Sequence, residues 1–154
     1  MKGYLDDEAA NREVFVDGWF NTGDLARIDE DDYIFLTGRK KNVIVLKNGK
    51  NIYPEEIEAI IDKIPYVAEN VVMGEEEGDD YRLVAHIVYD PEADAVKGKS
   101  LEEIRAMADA DIEKISDDMP KYKRIKQVYL RTEPFEKTTT QKIKRRTVKA
   151  ADKA

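Results

Sequence analysis

Apolar positions recur along the chain at two spacings, one typical of helices and one typical of strands. Proline suits the first position of a helix, and Pro54 is followed by apolar residues on one helical face. These residues are Ile57, Ile60, Ile61 and Ile64. The pattern predicts a helix that begins at Pro54 and ends near Pro65.

A second helical stripe lies further along the chain. Ser100-Leu-Glu-Glu103 has the form of a capping box, in which the serine and the glutamate each bond a backbone amide of the other. The stripe that follows consists of Leu101, Ile104, Ala108, Ile112 and Ile115. It predicts a helix from Ser100 to just before Pro120.

Short runs rich in β-branched and aromatic residues predict the strands. The runs are 13–16, 25–28, 33–37, 43–46, 67–73, 81–89 and 125–130. Runs 25–28 and 33–37 flank an acidic turn and predict a hairpin, a second acidic turn is expected at 74–80, and a short basic helix at 142–149. Strands and helices alternate, and the strands follow one another too closely for all-parallel crossovers. We therefore expect an α+β fold with a small sheet flanked by helices.

The same pattern suggests how the chain is organised. Residues 1–38 are too few to close a core, so we expect this β-hairpin segment, which precedes the main fold, to pack on something that lies outside it. Residues 39–42 are polar and basic and form the predicted junction. Residues 43–150 are expected to form the C-terminal domain, and residues 151–154 a tail.

The most informative feature of the composition is the uneven distribution of charged residues along the chain. Residues 121–154 hold 12 Lys or Arg against 3 Asp or Glu, whereas the rest of the chain holds 14 basic and 30 acidic residues. Such a basic end suggests an anionic partner, and a solvated tail is the alternative. The chain has no cysteine, no apolar run approaches the roughly 20 residues that span a bilayer, and a cytoplasmic location is expected.

Three clusters stand out by their order. They are Gly18-Trp-Phe-Asn-Thr-Gly-Asp24, the segment from Gly38-Arg39 to Ile57, and Thr138-Thr-Thr-Gln-Lys-Ile-Lys-Arg-Arg146. Together they resemble the final motifs of the adenylate-forming superfamily, which includes acyl-CoA synthetases, luciferases and adenylation domains of peptide synthetases. The Thr-rich form of the third cluster is similar to the long-chain fatty acyl branch, and the resemblance covers nearly the whole chain. It implies that residues 1–38 are the β-rich end of a larger, truncated N-terminal domain.

The resemblance implies roles for Asp24 and for two residues of the junction, Arg39 and Lys41. The family uses the aspartate at the position of Asp24 to bind the ATP ribose, and Arg39 would reach the same nucleotide because a planar guanidinium suits sugar and phosphate oxygens. Lys41 matches the family's hinge. Taken alone, Asp24 would be a turn residue and Arg39 part of a surface ion pair.

Lys142 is the predicted catalytic residue. Acyl-adenylate formation brings a carboxylate to the α-phosphate of ATP, and an ammonium group can bridge these two anions and offset the charge at phosphorus. Lys142 holds the matching place of the family's catalytic lysine. On composition alone it would be one of five basic residues between positions 142 and 149.

Gly49 lies in Lys47-Asn-Gly-Lys-Asn51, which corresponds to the family's loop along the pantetheine tunnel of CoA. An Asn-Gly pair is also an ordinary hairpin turn. His86 is expected to be a sheet residue, and no metal site is predicted in this chain. The resemblance implies ATP or AMP, CoA and Mg²⁺ as cofactors, with the magnesium ligand in the missing larger domain.

The sequence thus predicts the C-terminal part of an ATP-dependent fatty acid–CoA ligase, inactive by itself. Its expected partners are the missing N-terminal domain, a fatty acid and CoA, and not nucleic acid. The alternative is a non-catalytic binding module whose basic end docks on nucleic acid or on an acidic partner. Peripheral membrane contact and a swapped dimer stay open, as does the acyl chain length.

Overall fold

The computed structural model describes residues 1–151 and divides them into two compact units, Met1–Val43 and the residues from Ile44 onward. The elements of the first unit are α1 (Glu8–Val14), β1 (Phe15–Val16), β2 (Trp19–Phe20), β3 (Asp24–Ile28), β4 (Ile34–Arg39) and a 3₁₀ turn at Lys40–Asn42.

The predicted hairpin of the first unit is confirmed. Strand β3 pairs antiparallel with β4, and Ile28 faces Ile34 next to the acidic turn. The side chain of Asp29 accepts hydrogen bonds from the amides of Asp31 and Tyr33. Asp32 adopts a φ of +62°, in the left-handed region that Asp tolerates better than most residues.

Helix α1 was not predicted. The run 13–16 was expected to be a strand, but Glu13 and Val14 end α1, and only Phe15 and Val16 are extended. Asp7 caps the helix by accepting a hydrogen bond from the Ala10 amide at 2.9 Å. This cap could have been recognised from the sequence, because Asp is a preferred residue just before a helix.

The first unit buries little apolar surface. Among the described residues 1–43, none is a buried hydrophobic residue, and Trp19 is 81% exposed. Leu5 and Leu36 are also largely exposed. These values agree with the expectation that a segment of this length does not build a core.

The second unit contains the core. Its elements are β5 (Ile44–Val45), β6 (Asn51–Ile52), α2 (Pro54–Ile61), β7 (Val67–Glu77), β8 (Asp80–Tyr89), α3 (Leu101–Asp117), a 3₁₀ turn at Lys121–Lys123, β9 (Ile125–Arg131) and α4 (Arg145–Ala151). Strand β8 is central, with β7 antiparallel on one side and β9 parallel on the other. Helices α2 and α3 pack against this sheet. The predicted α+β fold, with a small sheet flanked by helices, is confirmed.

The central strand is covered on both faces. All residues from Leu83 to Tyr89 are buried. Leu83, Ala85 and Ile87 belong to the main hydrophobic cluster with α2 and α3, as their alternation predicted. Val88 belongs to a second, smaller cluster. Its other members are Val71, Phe135 and Val148, with Met73 and Ile143 packed at the edge. The C-terminal segment therefore contributes to the second face of the sheet.

Both amphipathic helices are confirmed, with differences at their ends. Helix α2 has Pro54 in its first turn but ends at Ile61, before the predicted Pro65. Helix α3 has both hydrogen bonds of the predicted capping box. Ile104, Ala108 and Ile112 are buried, whereas Leu101 in the first turn of α3 is 55% exposed.

Two boundaries in the second unit differ from prediction. Strand pairing between β7 and β8 continues to Glu77 and Asp80, so the turn expected at 74–80 is only two residues long. An ion pair between Glu75 and Arg82 at 3.0 Å bridges the two strands there. The basic helix expected at 142–149 begins at Arg145, and Lys142 precedes it.

Candidate functional site

Asp24 and Arg39 are directly opposite each other on β3 and β4. They form the first cross-strand pair of the hairpin, and Arg39 Nε lies 3.0 Å from Asp24 Oδ1. About a third of each side chain is exposed, 33% for Asp24 and 38% for Arg39. The structure thus brings these two predicted residues together as a solvent-accessible carboxylate and guanidinium.

The turn before Asp24 fixes the start of β3. The Asp24 amide donates to Thr22 Oγ1 at 3.1 Å, and Gly23 has a φ of +72°. Arg39 also donates to the Thr22 carbonyl at 2.9 Å. The Thr-Gly-Asp motif therefore serves as a local turn as well as the scaffold of the pair.

Lys41 lies in the 3₁₀ turn Lys40–Asn42, and its side chain is exposed. The Lys40 amide donates to the Gly23 carbonyl at 2.9 Å, which ties the start of this turn to the Thr-Gly-Asp turn. The turn immediately precedes the boundary between the two compact units at Val43. An exposed residue beside a boundary can change its backbone angles without losing packing.

Gly49 occupies the tip of the small hairpin formed by β5 and β6. Its φ is +78°, and a β-carbon at this position would meet no other atom within 4 Å. The Leu46 amide donates to the Lys50 carbonyl, and the Gly49 amide to the Leu46 carbonyl, which closes the turn. Glycine is thus required by the backbone conformation, and the space beside it is open.

Lys142 lies at the end of a tight turn and not on a helix. The Thr138 amide donates to the Lys142 carbonyl at 2.8 Å, and the Lys142 amide donates to Thr138 Oγ1 at 3.2 Å. Gln141 adopts a φ of +61°, and Lys137 pairs with Ile143 across the turn. The backbone of Lys142 is therefore fixed, while its side chain is exposed.

The flanks of this turn are tied to the rest of the second unit by four residues for which the sequence predicted no individual role. Arg145 contacts Glu58 of α2, and Lys137 contacts Glu69 of β7. These partners are 68 or more positions apart in the chain. No local signal could have identified them.

The basic end is in part neutralised within the chain. Lys123 pairs with Glu56 at 2.7 Å, and Arg124 pairs with Asp117 at 3.2 Å. Lys144 and Arg145 pair with Glu136 and Glu58, respectively. The anionic partners expected for the basic end therefore include carboxylates of the same unit.

His86 lies in the middle of β8, as expected, and its ring stacks on Tyr129 at 4.8 Å between centroids. Within residues 1–151, no three or more His, Cys, Asp or Glu side chains are arranged to hold a metal ion. Across the same described range, the helices are too short or too polar to cross a membrane.

Comparisons with known proteins match most of the chain to one family. Residues 41–152 match the family described as the AMP-binding enzyme C-terminal domain. A 2-succinylbenzoate–CoA ligase of Bacillus licheniformis is 47% identical over 74 residues, which are 48% of this chain and 15% of the relative. A long-chain-fatty-acid–CoA ligase of Mycobacterium tuberculosis is 42% identical over 93 residues, 60% of this chain and 15% of the relative.

Solved structures extend the similarity over nearly the whole chain. The O-succinylbenzoate CoA synthetase of Bacillus subtilis, in complex with ATP and magnesium, matches with a TM-score of 0.73 and 27% identity. The match covers 97% of this chain and 28% of that protein. An anthranilate–CoA ligase in complex with anthranoyl-AMP matches with a TM-score of 0.76 and 28% identity, over 97% of this chain and 27% of the ligase. The chain therefore spans about a seventh of its curated relatives and about a quarter of these structures.

Proposed function

The chain belongs to the family of AMP-binding enzyme C-terminal domains, and from this membership we propose that it is the C-terminal part of an ATP-dependent acid–thiol ligase. In such a ligase, the acid and ATP form an acyl-adenylate and pyrophosphate. The thiol of CoA then displaces AMP to give the acyl-CoA. The proposed roles are divided between these two steps.

One observation carries the proposal: Lys142, at the place of the family's lysine, is an exposed ammonium group on a fixed backbone. Two hydrogen bonds with Thr138 hold its amide and carbonyl. An ammonium delivered from such a support can approach two anions without a large loss of backbone entropy. This arrangement supports Lys142 as the adenylation lysine.

The first step needs positive charge at phosphorus. The carboxylate oxygen of the acid attacks the α-phosphate, the bond to pyrophosphate breaks, and Lys142 stabilises the charge that develops on the phosphate oxygens. At about 4 Å, a pair of unit charges gains roughly 4 kcal/mol at an effective dielectric of 20 but only about 1 kcal/mol in water. Lys142 is therefore effective only where the site closes and excludes water.

Asp24 and Arg39 would hold the nucleotide. Asp24 Oδ1 lies 3.0 Å from Arg39 Nε, and the second carboxylate oxygen would accept from the vicinal hydroxyls of a ribose. The guanidinium of Arg39 offers further donors to sugar or phosphate oxygens. The exposed third of each side chain is consistent with this use.

Gly49 and Lys41 would serve the second step. The open space beside Gly49 suits a narrow thiol-bearing arm, and Lys41 would be the hinge about which the C-terminal domain, residues 43–150, turns between the two steps. In this proposal residues 1–38 belong to the larger N-terminal domain, which also supplies the acyl pocket. The sulfur of CoA attacks the acyl carbon, and AMP leaves.

A fatty acid is the proposed acid, on the strength of the Thr-rich segment Thr138–Thr140 and the similarity to the mycobacterial fatty acid ligase. The similarity to the Bacillus ligase makes an aromatic dicarboxylic acid the competing substrate. Mg²⁺ neutralises the phosphates of ATP when bound, and its ligands are expected in the larger domain. The predicted cytoplasmic location and the swapped dimer stay predictions.

The test is ligation by the full-length enzyme that carries this chain, with the two half-reactions measured separately. In Lys142→Ala, adenylation is expected to fall by a factor of about 10² to 10³, as for the loss of one electrostatic clamp. Thioester formation from supplied acyl-adenylate should persist. Lys126→Ala, which removes an exposed lysine of β9, is the matched control. A panel containing fatty acids and 2-succinylbenzoate then identifies the acid.

Normal adenylation in Lys142→Ala would contradict the proposal. The binding-module hypothesis would then return, and a steeply salt-dependent affinity for RNA would support it. The ion pairs that residues of the basic end form with carboxylates elsewhere in the chain do not favour the binding-module hypothesis, because these pairs already neutralise several charges of the basic end.

A further inference from the structure

We propose that Glu58 and Arg145 are positioning residues for Lys142, acting as a clamp that fixes the turn 138–142 on the sheet. This inference rests on the proposed function of Lys142. The two residues are 87 positions apart, and neither has been assigned a role above.

Arg145 makes two directed contacts from the first turn of α4. Its Nη2 donates to Glu58 Oε2 at 2.6 Å, and its Nη1 donates to the carbonyl oxygen of Val72 at 2.9 Å. The Arg145 side chain is only 23% exposed. A planar fork with two acceptors at fixed positions determines both the place and the orientation of Arg145, three residues after Lys142.

Glu58 completes the clamp from the other side. One oxygen accepts from Arg145, and the other accepts from the Val72 amide at 2.7 Å. Its side chain is 14% exposed, so the interaction is shielded from water. Burial raises the pKa of Glu58, and the charge of Arg145 opposes that rise. Helix α2, strand β7 and helix α4 therefore meet at this charged pair, and Glu55 Oε1 lies 3.8 Å from the same guanidinium.

A second anchor holds the other flank of the turn. Glu69 accepts from the Phe135 amide at 3.0 Å and pairs with Lys137 Nζ at 2.5 Å. Phe135 is buried in the second hydrophobic cluster. Both ends of the segment 135–145 are thus tied to β7 and α2, while the turn between them stays at the surface.

This arrangement explains why the clamp matters for chemistry. Lys142 has a long flexible side chain, and only its backbone can be placed in advance. A displacement of about 1 Å in a reacting geometry can cost up to 10²-fold in rate. A substitution that loosens the clamp should therefore lower the rate of adenylation only by displacing Lys142.

The first experiment measures backbone amide exchange in the 154-residue chain itself, which requires no activity. In Arg145→Gln, the amides of Gln141, Lys142 and Lys144 should exchange about 10 times faster than in wild type, because their hydrogen bonds depend on the turn. The matched control is Glu56→Gln, which removes an ion pair with Lys123 from the same helix. If Arg145→Gln does not fold, Glu58→Gln gives the same comparison with a smaller change in shape. Unchanged exchange in the folded variant would overturn the inference.

The second experiment measures both half-reactions in the full-length enzyme. Arg145→Gln should lower adenylation by a factor of about 10 to 100, with thioester formation from acyl-adenylate retained. In a Lys142→Ala background the same substitution should have no further effect on adenylation. An equal further loss in that background would overturn the positioning role and leave the proposed function standing. No effect of Lys142→Ala by itself would overturn the proposed function and, with it, this role.

Discussion

The backbone amide of Lys47 donates a hydrogen bond to Asp80 Oδ1 at 3.0 Å, across 33 positions of the chain. This bond joins the turn that carries Gly49 to the tip of the β7–β8 hairpin. The Tyr81 amide donates to the same carboxylate at 2.8 Å, and Lys47 Nζ pairs with Asp79. The two hairpin tips are therefore joined by the hydrogen bond to Asp80 and by the exposed ion pair with Asp79.

Asp80→Ala should release the Gly49 turn. We expect faster amide exchange at Lys47, measured by NMR on the 154-residue chain, whereas Asp80→Asn keeps an acceptor oxygen and should change it little. Asp79→Ala is the control, because its exposed ion pair contributes little. Unchanged protection of Lys47 in Asp80→Ala would show that the turn is rigid by itself.

The same bond predicts a pH dependence. The hydrogen bond from the Lys47 amide lowers the pKa of Asp80 below its ordinary value of 3.8. Because the pKa of Asp80 is lower in the folded state, the Asp80 carboxylate stabilises the fold fully above pH 3.8. This stabilisation is lost as the pH falls through the lower folded-state pKa. The amide chemical shift of Lys47 should titrate with a midpoint below 3.8. A midpoint above 3.8 would contradict the bond.

Comparison of Gly49→Ala with a matched glycine substitution separates the effect of backbone strain on stability from the proposed role of Gly49 in thioester formation. The φ of +78° costs an alanine about 1 kcal/mol of stability, and no clash is added because no atom lies within 4 Å. Gly98→Ala is the matched control, with a φ of +77° and equally open space. Thermal unfolding should show similar losses for both. Only Gly49→Ala should slow thioester formation in the full-length enzyme, and equal rates for the two variants would remove Gly49 from that step.

Ser100→Ala should destabilise α3. The Glu103 amide would lose its bond to Ser100 Oγ, at a cost of about 1 kcal/mol, as is usual for the loss of a cap. The bond from the Ser100 amide lowers the pKa of Glu103, so that bond stabilises the chain at neutral pH and weakens as the pH falls below 4.5. Urea unfolding of Glu103→Gln and of wild type at several pH values checks this. The difference between their free energies of unfolding should become smaller at acid pH.

Tyr66→Phe should remove a buried hydrogen bond. Tyr66 is 1% exposed, and its hydroxyl donates to Asp111 at 2.7 Å, so we expect a loss of about 1 kcal/mol in urea unfolding. Burial and then Asp111 raise the pKa of Tyr66, and the contribution is therefore complete below 10 and is lost as the pH rises through the folded-state value. Tyr81→Phe, at a side chain that is 42% exposed, should change stability much less.

The 154-residue chain should form no acyl-adenylate by itself. It contains the candidate lysine and nucleotide pair, but the acyl pocket and the glycine-rich phosphate loop are expected in the larger domain. The measurement is release of pyrophosphate from ATP with a fatty acid present. Turnover above a Lys142→Ala control would contradict this prediction.

Sequence patterns correctly predicted those helices and strands whose formation depends on residues close together in the chain. Pro54 and the isoleucine stripe specify α2, Ser100 and Glu103 specify the start of α3, and the β-branched runs specify the β3–β4 hairpin. Each signal acts within a few positions, because capping, periodicity and turn formation are local. The order of the motifs was also sufficient to identify the family.

The tertiary structure decided where the candidate catalytic residue lies and what holds it. Lys142 was expected on a short basic helix over 142–149. Instead, Thr138 Oγ1 accepts a hydrogen bond from the Lys142 amide within a turn, and α4 begins only at Arg145. Glu58 meets Arg145, and Lys47 meets Asp80, through folding of the sheet between them. The sequence by itself therefore determined α2, α3, the β3–β4 hairpin and the candidate residues. Only the packing of the sheet and the helices decided the geometry of these contacts, because it brings groups that are 33 or 87 positions apart in the chain within hydrogen-bonding distance.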